Sequence, residues 1–311
     1  MSTFSGSDQR WVVDRAGLTL RQVLDELGAP NEALIDGRVF LNQRRVGIDQ
    51  EPQQLHVGSE VLVYRARPPG GVAILSEMHD VIAVAKPAGI ATQPDHRGIA
   101  HCLLGELAQL LGEKADALHA LHRLDRDVSG VVLVSRNSRA TAWVEQARER
   151  GAFHRRYLAI ASGHLVQATG TWNDAIGQGK RPGLRRVGGP NAKPALSRYQ
   201  QVAAIAARQV SLLMVEPATG RTHQIRVHAA HAGVPLLGDG DYGGQRRVVN
   251  ADGSVHALAR IALHALKVAL PLPDGTNWNI VAPPPAELLQ LWQALGGNAA
   301  DLDALSDRAW L

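Results

Sequence analysis

The chain has 311 residues, 45% hydrophobic and 20% charged, which is the composition of a globular protein large enough for one sizeable domain and a smaller companion. No apolar run approaches the roughly 20 residues of a membrane helix, no signal peptide is expected, and the single cysteine, Cys102, excludes an internal disulfide or a cysteine metal cluster. A cytoplasmic chain is expected, and a net charge of +4 with a pI near 9.5 suits an acidic partner such as RNA.

Thr19-Leu20-Arg21-Gln22 has the form of a capping box, and Leu20, Val23, Leu24 and Leu27 follow at helical spacing until Gly28 and Pro30. A second short helix is expected over 31–36 and strands over 38–42 and 60–64. Residues 36–42, Asp-Gly-Arg-Val-Phe-Leu-Asn, with His56-Val57-Gly58-Ser59-Glu60-Val61 downstream, resemble the S4 RNA-binding domain. That domain usually carries several bases on its second helix. Here stand Asn31, Glu32, Ala33 and Asp36, so Arg38, Arg44 and Arg45 are left to meet phosphates. The S4-like module is expected over 10–66, with Pro68-Pro69-Gly70-Gly71 ending a linker over 67–71.

Short strands are expected over 72–75 and 81–85, then a tight loop at Lys86-Pro87-Ala88-Gly89 in which Lys86 either meets a phosphate or sits solvated. Leu103, Leu104, Leu107, Leu110 and Leu111 mark an amphipathic helix. Residues 121–130, Leu-His-Arg-Leu-Asp-Arg-Asp-Val-Ser-Gly, place Asp125 between Arg123 and Arg126 and run into the strand 131–135. Such a loop is either an active-site segment or a surface turn whose acids bond local amides. A helix capped by Ser138 runs to Gly151, and a strand over 154–161 carries Tyr157, most simply a core residue with its hydroxyl tied to an acceptor.

Residues 177–194 hold Lys180, Arg181, Arg185, Arg186 and Lys193 without one acid, which reads as a solvated flexible loop that would also suit an RNA backbone. After a strand over 210–215, a short helix is expected from about Thr222 to Gly233. His223, His228 and His231 lack the spacing and acidic ligand of a metalloenzyme, and no metal is expected. Residues 236–243 form a glycine-rich turn without the context of a nucleotide site. Strands over 261–269 and 278–281 and a helix over 286–295 complete the domain, leaving 296–311 as a peripheral tail.

His122-Arg123-Leu124-Asp125 with Ser129-Gly130, Lys86-Pro87-Ala88-Gly89, Arg156-Tyr157-Leu158-Ala159 and the run from Gly220 to His228 together resemble the RluA-type pseudouridine synthases, in that family's order. The resemblance spans about 72–295. It implies an α+β fold with a large mixed, mostly antiparallel sheet, flanking helices and a central catalytic cleft, here preceded by the small S4-like module. It also implies isomerisation of uridine in RNA to pseudouridine without a cofactor. Within it Asp125 matches the catalytic aspartate, Arg226 its charge partner, and Tyr157 the tyrosine that packs on the target base. Arg123 matches the residue that fills the space left by the flipped base, while His122, Lys86, Arg221 and His223 complete the substrate-binding set. Val128 replaces a frequent threonine. Ribosomal RNA is the expected substrate, transfer RNA the second choice, and a monomer is expected. Two rivals stand beside this reading: a non-catalytic S4-type RNA-binding protein and a histidine-based metal-dependent hydrolase.

Overall fold

A computed structural model describes residues 9–29, 32–35, 39–42, 44–46, 54–63, 71–94, 102–250, 253–303, 305 and 308. The chain divides into two compact units, Met1–Gly70 with Pro94–Cys102, and Gly71–Gln93 with Leu103–Leu311.

The first unit contains β1 (Gln9–Val12), α1 (Leu20–Glu26), α2 (Glu32–Ile35), β2 (Val39–Leu41), β3 (Arg44–Arg45) and β4 (Glu60–Val63), with its strands in the order β1-β4-β2-β3. Thr19 starts α1 through the expected reciprocal cap: its Oγ1 accepts from Gln22 N at 3.2 Å, and its own N–H donates to Gln22 Oε1 at 2.9 Å. Leu20, Val23 and Leu24 on α1 pack with Val39, Val61 and Val63 from the sheet. Of the residues named for RNA contact, Arg38 and the side chains of Arg44 and Arg45 lie outside the described residues, as does most of the 67–71 linker.

The second unit contains, in chain order, β5 (Ala73–Met78), β6 (Val81–Lys86), α3 (Leu103–Leu111), β7 (His119–Ala120), β8 (Ser129–Ser135), α4 (Ser138–Glu149), β9 (His154–Ser162), β10 (Thr169–Trp172), β11 (Ile176–Gln178) and β12 (Arg185–Val187). It continues through β13 (Ser197–Ile205), β14 (Val210–Pro217), α5 (Gln224–His231), β15 (Arg247–Val249), β16 (Val255–Ala257), β17 (Leu263–Pro271), β18 (Asn277–Val281), α6 (Ala286–Ala294) and α7 (Ala300–Asp303). Ten strands form one sheet in the order β10-β13-β14-β9-β17-β8-β6-β5, with β18 on β17 and β7 on β8. The architecture is α+β. Every pairing in this sheet is antiparallel except β8 with β17, whose parallel ladder is two residues long, Ser129 beside His264 and Gly130 beside Ala265.

Both sheet faces are covered, which is why Val131 to Val134 read as an unbroken apolar run and are fully buried. On one face Ala140, Val144 and Ala147 of α4 pack with Val81, Leu133 and Trp278. On the other, Leu288, Leu291 and Trp292 of α6 pack with Leu158, Ile160, Leu212 and Met214.

Three expectations are corrected. Residues 177–194 are not a plain loop, because β11 and β12 pair in register from Ile176↔Val187 to Gln178↔Arg185. The tail is not peripheral: Leu302 and Leu305 are buried in the α6 cluster, and the buried Arg156, ion-paired to Glu216 at 2.7 Å, donates to the Leu305 and Arg308 carbonyls at 3.0 and 2.6 Å. Asn137, not Ser138, caps α4, its Oδ1 accepting from Ala140 N at 2.9 Å. Strands β10 and β13 were not expected, since their half-exposed polar sequences carry a weak alternation. Among the described residues no helix is long and apolar enough to cross a membrane.

Candidate active site

The loop 121–130 is fastened along its length, and the fastenings explain its sequence. Leu121, Leu124 and Val128 are buried, while Arg123 is exposed and Asp125 half-buried. Thr92 Oγ1 both accepts from Leu124 N at 3.0 Å and donates to Leu124 O at 2.9 Å. Lys86 Nζ donates to the carbonyls of Pro87, Ile90 and Arg126 at 2.9, 2.8 and 3.1 Å. Both readings of Lys86 are therefore corrected: it is neither a phosphate contact nor a solvated loop lysine, but a buried cation tying two loops. His122 is likewise turned inward. Its Nε2 accepts from Leu133 N at 3.1 Å, and burial, helped by Arg155 and Arg148, lowers its pKa to about 3.

At the end of the loop, Ser129 Oγ lies 2.6 Å from His264 Nδ1 and receives Arg260 Nη2 at 2.7 Å. His264 Nε2 must donate to the Ala282 carbonyl at 2.8 Å, so Nδ1 accepts the Ser129 hydroxyl proton. Gly130, at φ +124°, follows beside β17, where an added Cβ would overlap the Ala265 backbone. The Ser-Gly pair is thus the anchor of the loop.

The second half of the site comes from α5. Gln224 Nε2 donates to Leu196 O and Ser197 Oγ, both at 2.9 Å, and its Oε1 accepts from Thr219 Oγ1 and Arg221 N at 2.7 and 3.0 Å, fixing the entry to the helix. His223 precedes the helix in the left-handed region, φ +58°. From the first turn Arg226, 5% exposed, sends Nη1 to Asp125 Oδ2 at 2.9 Å. The same guanidinium donates through Nε and Nη2 to Asp239 at 2.7 and 2.8 Å, through Nη2 to Asp241 at 3.0 Å, and lies 4.9 Å from the Tyr242 ring centre. Burial works against the charge of Arg226, but the hydrogen bonds and charge of Asp239, then of Asp125, outweigh it and raise its pKa.

His223 Nε2 stands 3.8 Å from Asp125 Oδ2, and its Nδ1 is 2.7 Å from Tyr242 Oη, which accepts from Arg185 N at 2.9 Å. The phenol proton of Tyr242 then has His223 Nδ1 to donate to, which leaves Nε2–H directed toward Asp125. Burial lowers the His223 pKa, against the pull of Asp125, and favours this neutral form. Tyr157, on β9, is buried. Burial raises its pKa and the Asp125 charge adds to the rise, against the attraction and hydrogen bond of Arg155, so the phenol stays protonated.

Of the residues expected at the site, Asp125, Arg226 and His223 come together, with Tyr157 close enough to feel the Asp125 charge. Arg221 is exposed and ties Pro194 O at 3.0 Å, outside this cluster. The other histidines do not gather with His223: the two ring nitrogens of His228 are engaged with Ser197 Oγ and Asp174 O, and His231 is exposed. Asp239, Asp241, Tyr242 and Arg155 were missed. Two acids and a tyrosine within Gly238-Asp239-Gly240-Asp241-Tyr242-Gly243 are the available signal, although the turn lacks the context of a nucleotide loop.

Residues 80–231 match the RNA pseudouridylate synthase family. The chain is 36% identical over 265 residues to the RNA pseudouridine synthase YhcT of Bacillus subtilis, itself uncharacterized, covering 84% of this chain and 82% of that one. It is 35% identical over 294 residues to the ribosomal large subunit pseudouridine synthase D of Xylella fastidiosa, covering 86% and 84%. The fold is also that of the human RNA pseudouridylate synthase domain containing 1, at a TM-score of 0.56 and 24% identity, covering 75% of this chain and 98% of the human one. With coverage of this breadth over both halves of the ion-paired site, the chain belongs to the RluA-type family of RNA pseudouridine synthases.

Proposed function

We propose that Asp125 is the residue on which the isomerisation turns, with Arg226 as its counter-ion. The reaction breaks the bond from C1′ of the ribose to N1 of uracil, turns the base, joins C1′ to C5, and returns a proton to N1 as the C5 proton leaves. No redox change occurs. Among the described residues both polar contacts of the Asp125 carboxylate fall on Oδ2, from Arg226 Nη1 and His223 Nε2, which leaves Oδ1 for the reacting atoms. The Arg226 guanidinium gives that carboxylate a charge-assisted hydrogen bond that holds it in place. The 2.9 Å pair between residues 101 apart in sequence is the observation that carries the assignment.

The target uridine must first leave its stack, at a cost of a few kcal/mol. Arg123, exposed two residues before Asp125, is suited to fill the gap, since a planar guanidinium stacks on bases and bonds phosphates. Tyr157 packs against the extruded base, and His223 presents Nε2–H to it beside Asp125. The strand ribbon with exposed Lys180, Arg181, Arg186 and Lys193 supports an RNA backbone, joined to the site through Arg185 N and Tyr242 Oη. The names of the relatives favour ribosomal RNA as substrate over transfer RNA, in the cytoplasm where that RNA is folded. Residues 10–66 are read as an S4-like accessory module acting on the same RNA, ahead of a linker at 67–71, and the whole as a monomer.

The experiment is to map pseudouridines in total RNA from cells lacking the gene, complemented with the wild-type chain or with Asp125→Asn. The variant is expected to lose about 10⁴-fold in rate, the scale seen when a catalytic carboxylate is removed, while RNA affinity stays within a few-fold. Pseudouridine at wild-type positions and rates in the variant would reject the assignment.

A further inference from the structure

We propose that Asp239, in the glycine-rich turn 236–243, is the positioning residue of the catalytic pair: it orients the Arg226 guanidinium so that only the Nη1 edge meets Asp125. The inference rests on the reading of Asp125 and Arg226 given above and adds a residue that touches neither substrate nor Asp125.

A guanidinium has five N–H donors in a rigid fork. In Arg226 four are committed: Nε to Asp239 Oδ2, one Nη2 proton to Asp239 Oδ1, the other to Asp241 Oδ2, and one Nη1 proton to Asp125 Oδ2. The two-point contact with Asp239 defines both the plane of the fork and its rotation within that plane. Its outcome is a single hydrogen bond to Asp125, where an unrestrained arginine would take a carboxylate with two. Asp125 thereby keeps one oxygen clear.

Asp239 is built for this. It is 1% exposed, and a carboxylate buried to that degree needs a paired charge. Its backbone closes the turn, the carbonyl accepting from Tyr242 N at 3.2 Å and Gly244 N at 2.8 Å, and a Cβ on Gly244 would overlap the Leu236 carbonyl. Tyr242 from the same turn lies over the guanidinium. Asp241, 48% exposed with one contact, adds charge but cannot set the plane.

The test is steady-state kinetics of the full chain on substrate RNA for Asp239→Asn, Asp239→Glu, Arg226→Ala and the double variant Asp239→Asn/Arg226→Ala, with thermal unfolding recorded for each. A misplacement of about 1 Å costs on the order of 100-fold, so Asp239→Asn is expected to lower kcat about 100-fold with KM within about threefold. The double variant is expected to be no slower than Arg226→Ala alone, because Asp239 acts through Arg226. Losses that multiply, or wild-type kcat in Asp239→Asn, would overturn the proposal. Asp239→Glu keeps the buried ion pair and moves the fork by a methylene, so it serves if the Asn variant does not fold. Reduced kcat with an unchanged melting temperature supports positioning, and full kcat shows that neutralising Arg226 is all Asp239 does. An active Asp125→Asn would instead reject the catalytic reading itself, which separates the two failures.

Discussion

Lys86 and His122 carry the sharpest lesson at the scale of single residues. Both belong to motifs shared with the family, and both are turned away from solvent to hold the loop that presents Asp125. Sequence motifs mark residues a site depends on without separating those that touch substrate from those that hold the ones that do. The buried imidazoles also have a pH consequence. His264 is lowered to about 4 by burial, against its hydrogen bond to the Ala282 carbonyl, and His122 to about 3. An unfolded imidazole titrates near 6.5, so below that value the unfolded chain binds more protons than the folded one and stability is lost as the pH is lowered. Each such histidine removes about 1.4 kcal/mol per pH unit until its folded pKa is reached. Denaturant unfolding between about pH 6 and pH 4 is expected to show this slope, and His264→Gln to remove one histidine's share of it; an unchanged slope in the variant would contradict the assignment.

At the scale of elements, the helices and central strands were legible because their apolar residues repeat at 3.6 or run unbroken. The capping box at Thr19 and the short helix ending before Gly233, at φ +77°, were legible from single residues. The ribbon β11–β12 was not, since its cations hide the alternation that marks a strand, and its order comes from pairing and from ties such as Ile176 N to Lys193 O at 3.0 Å. A ribbon holds its charges at fixed spacing, which suits the repeat of a phosphate backbone. Replacing Lys180, Arg181, Arg186 and Lys193 with Gln is expected to flatten the dependence of log affinity for RNA on log salt by about 0.7 to 0.9 per cation that meets a phosphate. Titrations at several salt concentrations read this directly, and a slope equal to wild type would remove the ribbon from the interface.

For the molecule as a whole, the two halves of the site were each legible as motifs, but their meeting was not. Arg226 and Asp125 were joined by family resemblance, whereas Asp239 needed the fold, because no sequence pattern states which acid an arginine will choose. The packing of the end of the chain is not legible in the sequence because Asp- and Ala-rich composition conceals Leu302 and Leu305, which close one face of the sheet. Deleting residues from Gly296 onward removes both leucines, uncovers the α6 cluster they pack on, and strips the Arg156 guanidinium of its Leu305 and Arg308 carbonyls. At about 1.5–3 kcal/mol for each buried leucine, the truncated chain is expected to unfold at markedly lower denaturant concentration, and an unchanged midpoint would contradict the packing.

The two-residue ladder between β8 and β17 sets an order of events in folding. Ser129 and His264 are 135 residues apart, so the anchor that steadies the Asp125 loop closes only when nearly the whole second unit is present. On the ribosome the local hairpin β5–β6 and the ties from Lys86 and Thr92 can form early, while the Ser129 end of the loop stays unanchored until β17 has emerged. Full anchoring of the Asp125 loop is thereby coupled to synthesis of β17, and a product that ends before it carries Asp125 on a loop that lacks its Ser129–His264 tie.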